Sequence, residues 1–346
     1  MINIHDLCYE DLLNQIRDMG EPEFRTRQIL RGLYEQTYTN WDEFTALSKA
    51  LRHTLSNLFS ISSFEPVDQV SSFDRLTEKF LFRLPDNHHI ETVLLKKGSR
   101  LTLCVSTQVG CPVGCVFCAT GKIPFARNLT SGEIIEQILF FTRLLRKNDE
   151  RVTNIVLMGM GEPLLNFSNS CSAIKKIIDL NSLNFGARRI TVSTIGIIPE
   201  MEKLSKEKLQ INLAVSLHSP SQELRNDLIP VGKNYPLDDL ISACRNYFDL
   251  TGRRITFEYV MIRGVNDSLQ HANKLSNLLA GLTCHVNLIP LNPIPLYEGV
   301  APEMQTMREF GRILLNNRIP VSLRDSQGSD IQAGCGQLAG KKQTDN

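Results

Sequence analysis

The sequence lacks any uninterrupted apolar run long enough to cross a membrane, and it lacks a secretion signal. Its first residues, MINIHDLCYEDLL, carry acids where a signal peptide would carry positive charge followed by an apolar core. These absences exclude a membrane protein and predict a cytoplasmic one without a membrane partner. Hydrophobic residues make up 42% of the 346 residues and charged residues 22%, which is typical of a folded chain with a sizeable core. We expect a monomer.

The sequence also lacks an even set of cysteines that would pair as a disulfide framework. It contains nine cysteines, an odd number, spread through a chain without an export signal. This pattern favours reduced thiols that act as metal ligands or as reagents. For Cys8, Cys171, Cys244 and Cys284 we expect the commonest fate of an isolated cysteine, which is a buried structural position.

Acidic residues are absent from Thr92 to Gly132. The cations of this segment are Lys96, Lys97, Arg100, Lys122 and Arg127. Because several cysteines lie in the same segment, these cations predict a positive rim around a cysteine site, where they would contact phosphate groups. Ordinary surface variation is an equally good interpretation. The net charge of +1 gives no preference for nucleic acid.

Three regions follow one another along the chain. For residues 1–62 we predict a small helical accessory domain, because apolar residues recur at helical spacing in FTALSKALRHTLSNLF. Residues 63–98 predict a β-rich connection with strands at 79–85 and 90–97. Residues 99–340 predict the large domain, followed by a frayed tail within GKKQTDN.

Strands and amphipathic helices alternate through the large domain. One helix, SGEIIEQILFFTRLLR, has a predicted capping box formed by Thr130 and Glu133. The strands of the six predicted βα units span 100–107, 153–159, 188–194, 211–217, 255–261 and 284–290. Such repeats predict the α/β class and an incomplete (β/α)6 barrel, whose functional site lies at the carboxyl ends of the strands.

The cysteine motif indicates the kind of site. Cys111, Cys115 and Cys118 are spaced C-x3-C-x2-C. Three thiolates on one loop can bind three irons of a [4Fe-4S] cluster and leave the fourth iron open to a small molecule. A zinc site is the alternative, but a closed zinc site needs a fourth Cys or His, and none follows Cys118 closely. The motif therefore favours a catalytic iron-sulfur site.

This spacing, with Phe117 before the last cysteine, resembles the signature of radical S-adenosylmethionine (SAM) enzymes. Further motifs resemble, in order and spacing, the RlmN/Cfr family of radical SAM rRNA methyltransferases: MGMGEPLLN, RRITVSTIGIIP, AVSLHSP, EYVMIRGVNDS, HVNLIPLNP and DIQAGCGQL. Pro163 in GEP and the run IPLNP at 289–293 resemble the RlmN branch. The resemblance covers nearly the whole chain.

The resemblance implies methylation of carbon 2 of adenosine 2503 in 23S rRNA and, for some members, of adenosine 37 in certain tRNAs. It implies a [4Fe-4S] cluster, two SAM molecules per turnover and a reduced flavodoxin- or ferredoxin-type electron donor. Carbon 2 of adenine is electron-poor, so a radical route replaces direct attack on the methyl group of SAM. Because the adenosine must be unstacked to reach a barrel mouth, we expect the helical domain and the positive rim to recognise a folded RNA.

The resemblance also implies roles for individual residues. Cys335 carries the methyl group as an S-methylcysteine intermediate, and Cys104 releases the product through a transient disulfide with Cys335. Glu91 matches the proton acceptor for carbon 2, with Cys104 as an alternative acceptor and an exposed structural position as the alternative for Glu91. The cluster ligands are Cys111, Cys115 and Cys118. The matching SAM contacts are Gly161, Glu162, Ser193, Ser216, Leu217, His218 and Asn292.

Two residues beside Cys335 depart from the family pattern. Gln332 and Gly334 stand where the family usually has Asp and Ala, which leaves substrate handling open. Two alternative functions also stay open. One is Cfr-like methylation of carbon 8 of the same adenosine, and the other is a non-catalytic iron-sulfur RNA-binding protein, which would not require Cys104 and Cys335.

Overall fold

The computed structural model describes residues 1–340, so residues 341–346 of the predicted frayed tail lie outside the described residues. The chain begins with a helical unit. Its elements are β1 (Ile2–Asn3), α1 (Tyr9–Asp18), α2 (Phe24–Leu30, continued by a π-helical turn at Arg31–Glu35), α3 (Lys49–Leu58) and β2 (Phe59–Ser60). The short strands β1 and β2 pair in parallel and bring the two ends of this unit together.

Capping residues explain where the helices of this unit begin. The thiol of Cys8 accepts a hydrogen bond from Asp11 N at the start of α1, and Ser48 caps α3. Trp41 Nε1 donates to Phe59 O at 2.9 Å, which ties the preceding loop to β2. The prediction that Cys8 is buried is wrong, because its capping position is exposed. The other predicted structural cysteines are buried, namely Cys171, Cys244 and Cys284.

One sheet of ten strands organises the rest of the chain, while β7 and β8 form a separate hairpin. The strands are β3 (Glu65–Ser71), β4 (Thr77–Arg83), β5 (His89–Lys97), β6 (Arg100–Cys104), β7 (Gln108–Val109), β8 (Arg127–Asn128), β9 (Asn154–Leu157), β10 (Ile190–Thr194), β11 (Asn212–Ser216), β12 (Ile255–Met261), β13 (Cys284–Pro290) and β14 (Val321–Leu323). The spatial order is β14-β13-β12-β11-β10-β9-β6-β5-β4-β3. Neighbours from β3 to β6 are antiparallel, and those from β6 to β14 are parallel.

Helices follow the parallel strands in alternation. They are α4 (Ser131–Arg146), α5 (Phe167–Ile178), α6 (Ile198–Lys206), α7 (Gln222–Leu228), α8 (Leu237–Thr251), α9 (Leu269–Leu278) and α10 (Met304–Asn316). The capping box predicted for α4 is present, with Thr130 and Glu133 in reciprocal hydrogen bonds. The predicted α/β class and incomplete barrel are confirmed, since the six predicted βα strands are parallel neighbours in one sheet.

Strand bounds differ from the prediction where the backbone leaves the sheet. The strand predicted at 100–107 ends at Cys104, because Thr107 N and Gln108 N instead donate to Met160 O. The sequence did not predict β3, an edge strand whose residues are exposed or half-buried and so lack an apolar signal. It also missed β14, which is too short for a periodic pattern.

A buried carboxylate joins the helical unit to the large domain. Glu136 in α4 accepts hydrogen bonds from Ser63 N and Ser63 Oγ, both at 2.7 Å, and from Asn3 Nδ2. Burial raises the pKa of Glu136 to about 7. The predicted domain limits, 1–62, 63–98 and 99–340, stay predictions. Among the described residues, none of the helices combines the length and the apolar character that a membrane crossing requires.

Candidate active site

A cavity opens at the carboxyl ends of the parallel strands. It is a concave site at the strand ends, which is where parallel α/β barrels hold small-molecule ligands. Most of the predicted site residues line it, namely Cys111, Cys115, Cys118, Gly161, Glu162, Ser193, Ser216, His218, Asn292 and Cys335. Residues far apart in the chain therefore share one site, as expected for a barrel of this type.

The three motif cysteines lie on one loop, residues 110–126, which we call the cysteine loop. Pairing of β7 with β8 closes the base of the loop. Val116 N donates to Leu228 O at 3.1 Å and so holds the loop against the end of α7. Gly110 has a positive φ, and a methyl group there would lie 2.3 Å from Pro124 O. The loop is therefore closely packed at its base.

The cysteine thiols fit an iron-sulfur cluster by their chemistry. Burial raises the pKa of Cys111 to about 12, and burial followed by the neighbouring Cys118 and Cys111 raises that of Cys115 well above its ordinary value. Thiolates in such surroundings need positive charge, which bound irons supply. Among residues 1–340, no three His, Cys, Asp or Glu side chains lie close enough together to hold one metal ion. A four-iron cluster needs no such group, since each thiolate binds a different iron.

Glu162 suits the ammonium group of an amino-acid ligand. Its Oε1 accepts from Leu164 N at 3.0 Å, and its Oε2 accepts from Ile195 N at 2.9 Å. Burial raises the pKa of Glu162 to about 7. No ion pair in the described part of the chain includes this carboxylate. A ligand ammonium group would supply the missing cation and favour the ionised form.

His218 is a fixed and neutral part of the cavity wall. Burial lowers the pKa of His218 to about 3. Val260 N donates to Nδ1 at 3.0 Å, so Nδ1 is the acceptor and the ring proton is assigned to Nε2. The ring of Phe117 packs edge-on against the imidazole with centroids 4.9 Å apart. The motif aromatic therefore orients His218 beside the cysteine loop.

Gly161 allows the chain to pass close to Gln108. Its φ is +101°, and a methyl group there would lie 2.5 Å from Gln108 Cβ. Gln108 is itself held in place, because its Oε1 accepts from Glu162 N at 2.8 Å. The wall that carries Glu162 therefore depends on a glycine at this position.

We expect Gly161→Ala to lower the thermal midpoint of unfolding more than Gly98→Ala. A methyl group at a positive φ lowers the stability by about 1–2 kcal/mol, and at Gly161 the clash with Gln108 adds to this loss. Gly98→Ala is the matched control, since Gly98 has φ +57° and open space around the added methyl group. Thermal unfolding followed by circular dichroism measures both variants. Equal midpoints for the two variants would contradict close packing at Gly161.

Asn292 connects the cavity to residues 328–340, which we call the Cys335 loop. Its Nδ2 donates to Cys335 O at 3.0 Å. Its Oδ1 is buried and has no hydrogen-bond partner among residues 1–340, so a ligand that donates a hydrogen bond fits there. A methyl group at Gly334 would lie 2.7 Å from Asn292 Nδ2. The glycine that departs from the family pattern therefore permits this close approach.

Cys335 faces the cavity. Its side chain is exposed to the cavity. Burial by the surrounding protein nevertheless raises the pKa of Cys335 to about 11, and the negative charge of Glu258 raises it further. The backbone of the Cys335 loop binds the cysteine loop, since Ala119 N donates to Gly336 O at 2.6 Å. The thiol that the sequence singles out therefore lies on the same cavity as the three motif thiols.

Three predicted site residues do not line the cavity. Leu217 is fully buried, and its N–H donates to Glu258 O at 3.0 Å. Cys104, at the end of β6, is half-buried, and burial followed by the Cys335 thiol raises its pKa to about 12. Cys104 and Cys335 are therefore within electrostatic reach of each other. The third residue is Glu91.

Glu91 is fully buried behind the Cys335 loop, so the alternative of an exposed structural position is wrong. Lys79 Nζ lies 2.9 Å from Glu91 Oε1. Ala339 N and Gly340 N donate to Glu91 Oε2 at 2.6 and 3.0 Å. The carboxylate therefore binds the Cys335 loop here, and its role as a proton acceptor stays a prediction.

The expected positive rim is wrong for most of its members. Lys97 pairs in register with Arg100 at the end of β5 and β6 that is remote from Cys104. Lys96 forms an ion pair with Glu78, and Lys97 forms one with Asp325. On the cavity side, Arg127 is paired with Asp86 and Glu133. Lys122 is exposed and forms no ion pair with any residue in 1–340.

Two site residues were missed in the sequence. Glu258 lines the cavity, accepts from Asn287 Nδ2 at 2.8 Å and has its pKa raised by burial. Arg225 is fully buried, and its guanidinium partly opposes the rise that burial causes in the pKa of Cys115. A single carboxylate in the apolar strand ITFEYVM was the available signal for Glu258. The sequence gives no comparable signal for Arg225.

Two family models match this chain. The one described as the Radical SAM superfamily matches residues 105–275. The one described as the ribosomal RNA large subunit methyltransferase N-terminal domain matches residues 2–61. The first match contains the three motif cysteines and most of the cavity wall, and the second covers the helical unit.

Relatives match over the full length. A protein of Desulforamulus reducens named "Probable dual-specificity RNA methyltransferase RlmN" is 43% identical over 345 residues, which cover 100% of this chain and 98% of that protein. A protein of Bacillus cytotoxicus with the same name is 43% identical over 98% of this chain and 94% of its own length. The crystal structure of a radical SAM methyltransferase from Sphaerobacter thermophilus has a TM-score of 0.96 and 45% identity, covering 99% of this chain and 100% of that one.

Proposed function

Because the chain belongs to the RlmN family of radical SAM RNA methyltransferases, we propose that it methylates carbon 2 of adenosine 2503 in 23S rRNA. The name of its relatives, "dual-specificity RNA methyltransferase", supports a second RNA substrate, for which we propose adenosine 37 of tRNA. Radical SAM enzymes use a [4Fe-4S] cluster and SAM. A small reduced iron-sulfur or flavin protein is the proposed electron donor.

The position of Cys335 is the observation that carries this proposal. Its thiol faces the cavity that Cys111, Cys115 and Cys118 also line. A protein that only bound RNA through an iron-sulfur fold would not need a further thiol on this cavity. A thiol beside a cofactor site suits a group carrier, because sulfur forms a stable thioether with a methyl group.

The residues divide into two groups around the cavity. Cys111, Cys115 and Cys118 are the proposed cluster ligands. When bound, the cluster and SAM supply the electron, the methyl group and the radical that removes a hydrogen atom from it. The proposed SAM contacts are Gly161, Glu162, Ser193, Ser216, Leu217, His218 and Asn292. Of these, Glu162 suits the ligand ammonium group, and Leu217 is limited to a backbone role by its buried side chain.

Cys335 holds the methyl carbon while the new bond to adenine forms. The Cys104 thiolate then attacks the Cys335 sulfur and forms the transient Cys104–Cys335 disulfide, while the sulfur–carbon bond breaks, its electron pair stays with the product and the product carbon takes up a proton. After burial, the neighbouring Cys335 thiol is the next cause of the raised pKa of Cys104, and this proximity supports the pairing. Burial keeps Cys104 protonated at neutral pH, so the displacement step needs a base that removes its proton.

Glu91 is the proposed acceptor of the proton that leaves carbon 2. Its carboxylate binds Lys79 and the backbone of the Cys335 loop, so it reaches a substrate only when that loop moves. Cys104 is the alternative acceptor, in which case its thiol must first lose its own proton. The choice between them does not alter the product.

RNA reaches the cavity from the mouth of the barrel, so the target base must leave its stack. The exposed Lys122 on the cysteine loop is a proposed phosphate contact, since it lies on the same loop as the three motif cysteines and forms no ion pair with residues 1–340. The helical unit is the proposed second RNA-binding surface, supported by its match to a ribosomal RNA methyltransferase N-terminal domain.

Mass spectrometry of cellular RNA tests the proposed product. We expect 2-methyladenosine at position 2503 of 23S rRNA from cells that contain this protein and none from cells that lack it. Cells with Cys118→Ala provide the control, because that variant retains the rest of the site and loses a cluster ligand. A product that elutes as 8-methyladenosine would contradict carbon 2 as the target. Unmodified adenosine 37 in tRNA would remove only the second substrate.

A further inference from the structure

A buried ion pair lies behind the Cys335 loop. Lys79 on β4 is 6% exposed and Glu91 on β5 is 0% exposed, with 2.9 Å between Lys79 Nζ and Glu91 Oε1. Such a pair is costly to bury unless other hydrogen bonds complete the coordination of both charges. Glu91 Oε1 has the ion pair with Lys79 and no hydrogen bond among residues 1–340. The hydrogen bonds of both charged groups come from the Cys335 loop.

Both partners bind backbone groups that flank Cys335. Lys79 Nζ donates to Gln332 O at 3.2 Å, on the amino-terminal side. Glu91 Oε2 accepts from Ala339 N and Gly340 N at 2.6 and 3.0 Å, on the carboxyl-terminal side. The ion pair therefore holds both arms of the loop to the same two strands.

The opposite side of the loop is held by the cysteine loop. Ala119 N donates to Gly336 O at 2.6 Å, and Thr120 Oγ1 donates to Leu338 O at 2.7 Å. These are bonds between neutral groups. Bonds to charged groups are about twice as strong, so the ion pair is the firmer of the two attachments.

We propose that Lys79 and Glu91 form a latch that positions Cys335 over the cavity, with Lys79 acting as a positioning residue through the loop. The inference rests on the proposed function of Cys335 as methyl carrier. Without Lys79, the carboxylate would be buried and unpaired, and the loop would gain freedom to leave the site. Because Glu91 is also the proposed proton acceptor, opening the latch would expose the base.

Hydrogen-deuterium exchange of the reconstituted full-length protein tests the latch. In Lys79→Met, we expect the amides of residues 332–340 to exchange at least about tenfold faster than in the unaltered protein. Lys79→Arg keeps the cation and should restore protection. Lys96→Met is the matched control, since Lys96 pairs with Glu78 on the same two strands. The Lys96 side chain forms no hydrogen bond or ion pair with residues 328–340. Unchanged exchange of residues 332–340 in Lys79→Met would overturn the proposal.

A general loss of structure is distinguishable from an open latch. If Lys79→Met exchanges faster throughout β4 and β5, the double variant Lys79→Met/Glu91→Gln removes both charges and leaves no unpaired ion. A local increase in residues 332–340 of the double variant supports the latch, and unaltered protection there overturns it.

The turnover number distinguishes a positioning role of Lys79 from a purely structural role. We expect Lys79→Met to keep its iron content and SAM affinity while kcat for RNA methylation falls about tenfold or more, with recovery in Lys79→Arg. A kcat that Lys79→Arg does not restore would overturn positioning by the cation. If the unaltered protein methylates no RNA, faster exchange in Lys79→Met would still support the latch. The absent activity would then contradict the proposed function instead.

Discussion

Cys335→Ala is expected to abolish RNA methylation while leaving cluster assembly intact. The variant retains the three motif thiols and the residues of the cavity wall, but it has no sulfur to carry the methyl carbon. We expect the rate of RNA methylation to fall by roughly a thousandfold or more, with an unchanged iron content. Methyl transfer to RNA and iron content measure the two effects separately.

The same experiment has a direct chemical readout. Peptides of the unaltered protein purified from cells should show a mass increase of one methyl group on Cys335. Cys8→Ala is the matched control, since Cys8 is also exposed but caps α1 far along the chain from the Cys335 loop. Full activity of Cys335→Ala, together with an unmodified Cys335 in the unaltered protein, would contradict the covalent route.

Cys104→Ala is expected to trap RNA on the protein. This variant can still carry the methyl group on Cys335 and form the bond to adenine, but it has no thiol to displace the Cys335 sulfur. It should purify with nucleic acid attached covalently through Cys335 and removable only in part by ribonuclease. Denaturing gels and mass spectrometry of the Cys335 peptide measure the adduct.

Two further variants show whether the trapped RNA reports on Cys104 itself. The double variant Cys104→Ala/Cys335→Ala should carry no RNA. Cys244→Ala is the matched single variant, because burial raises the pKa of Cys244 to about 12, as it does for Cys104, while Cys244 lies on α8. Normal turnover by Cys104→Ala would show that Cys104 has only a structural role in its strand. An inactive variant with unmethylated Cys335 and no RNA would show the same.

The parts that could be predicted are those encoded by local patterns. Alternating strands and helices repeat a short signal, so the barrel and the bounds of β12 and β13 follow from the sequence. The cysteine motif is equally local, because one loop supplies all three thiols. Strand ends that point to one edge of the sheet explain why most of the predicted cofactor contacts share the cavity.

The parts that could not be predicted depend on pairing between distant segments. Lys97 and Arg100 are close in sequence to Cys104, but the register of β5 and β6 places them at the remote strand ends. In the sequence, Glu91 is an ordinary glutamate in a strand. Only the fold shows that Lys79 and the Cys335 loop bind its carboxylate. Cys8 shows the reverse case, because a local capping bond replaces the burial expected of an isolated cysteine.

The attachments of the Cys335 loop also bear on the order in which the site forms during synthesis. Thr120 and Leu338, which join the cysteine loop to the Cys335 loop, are 218 residues apart in sequence, and Ala339 and Glu91 are 248 apart. A ribosome therefore releases the three motif cysteines long before Cys335 emerges, and contacts of such separation form late in folding. The nascent protein can fold the strands around the three motif cysteines while Cys335 is still absent.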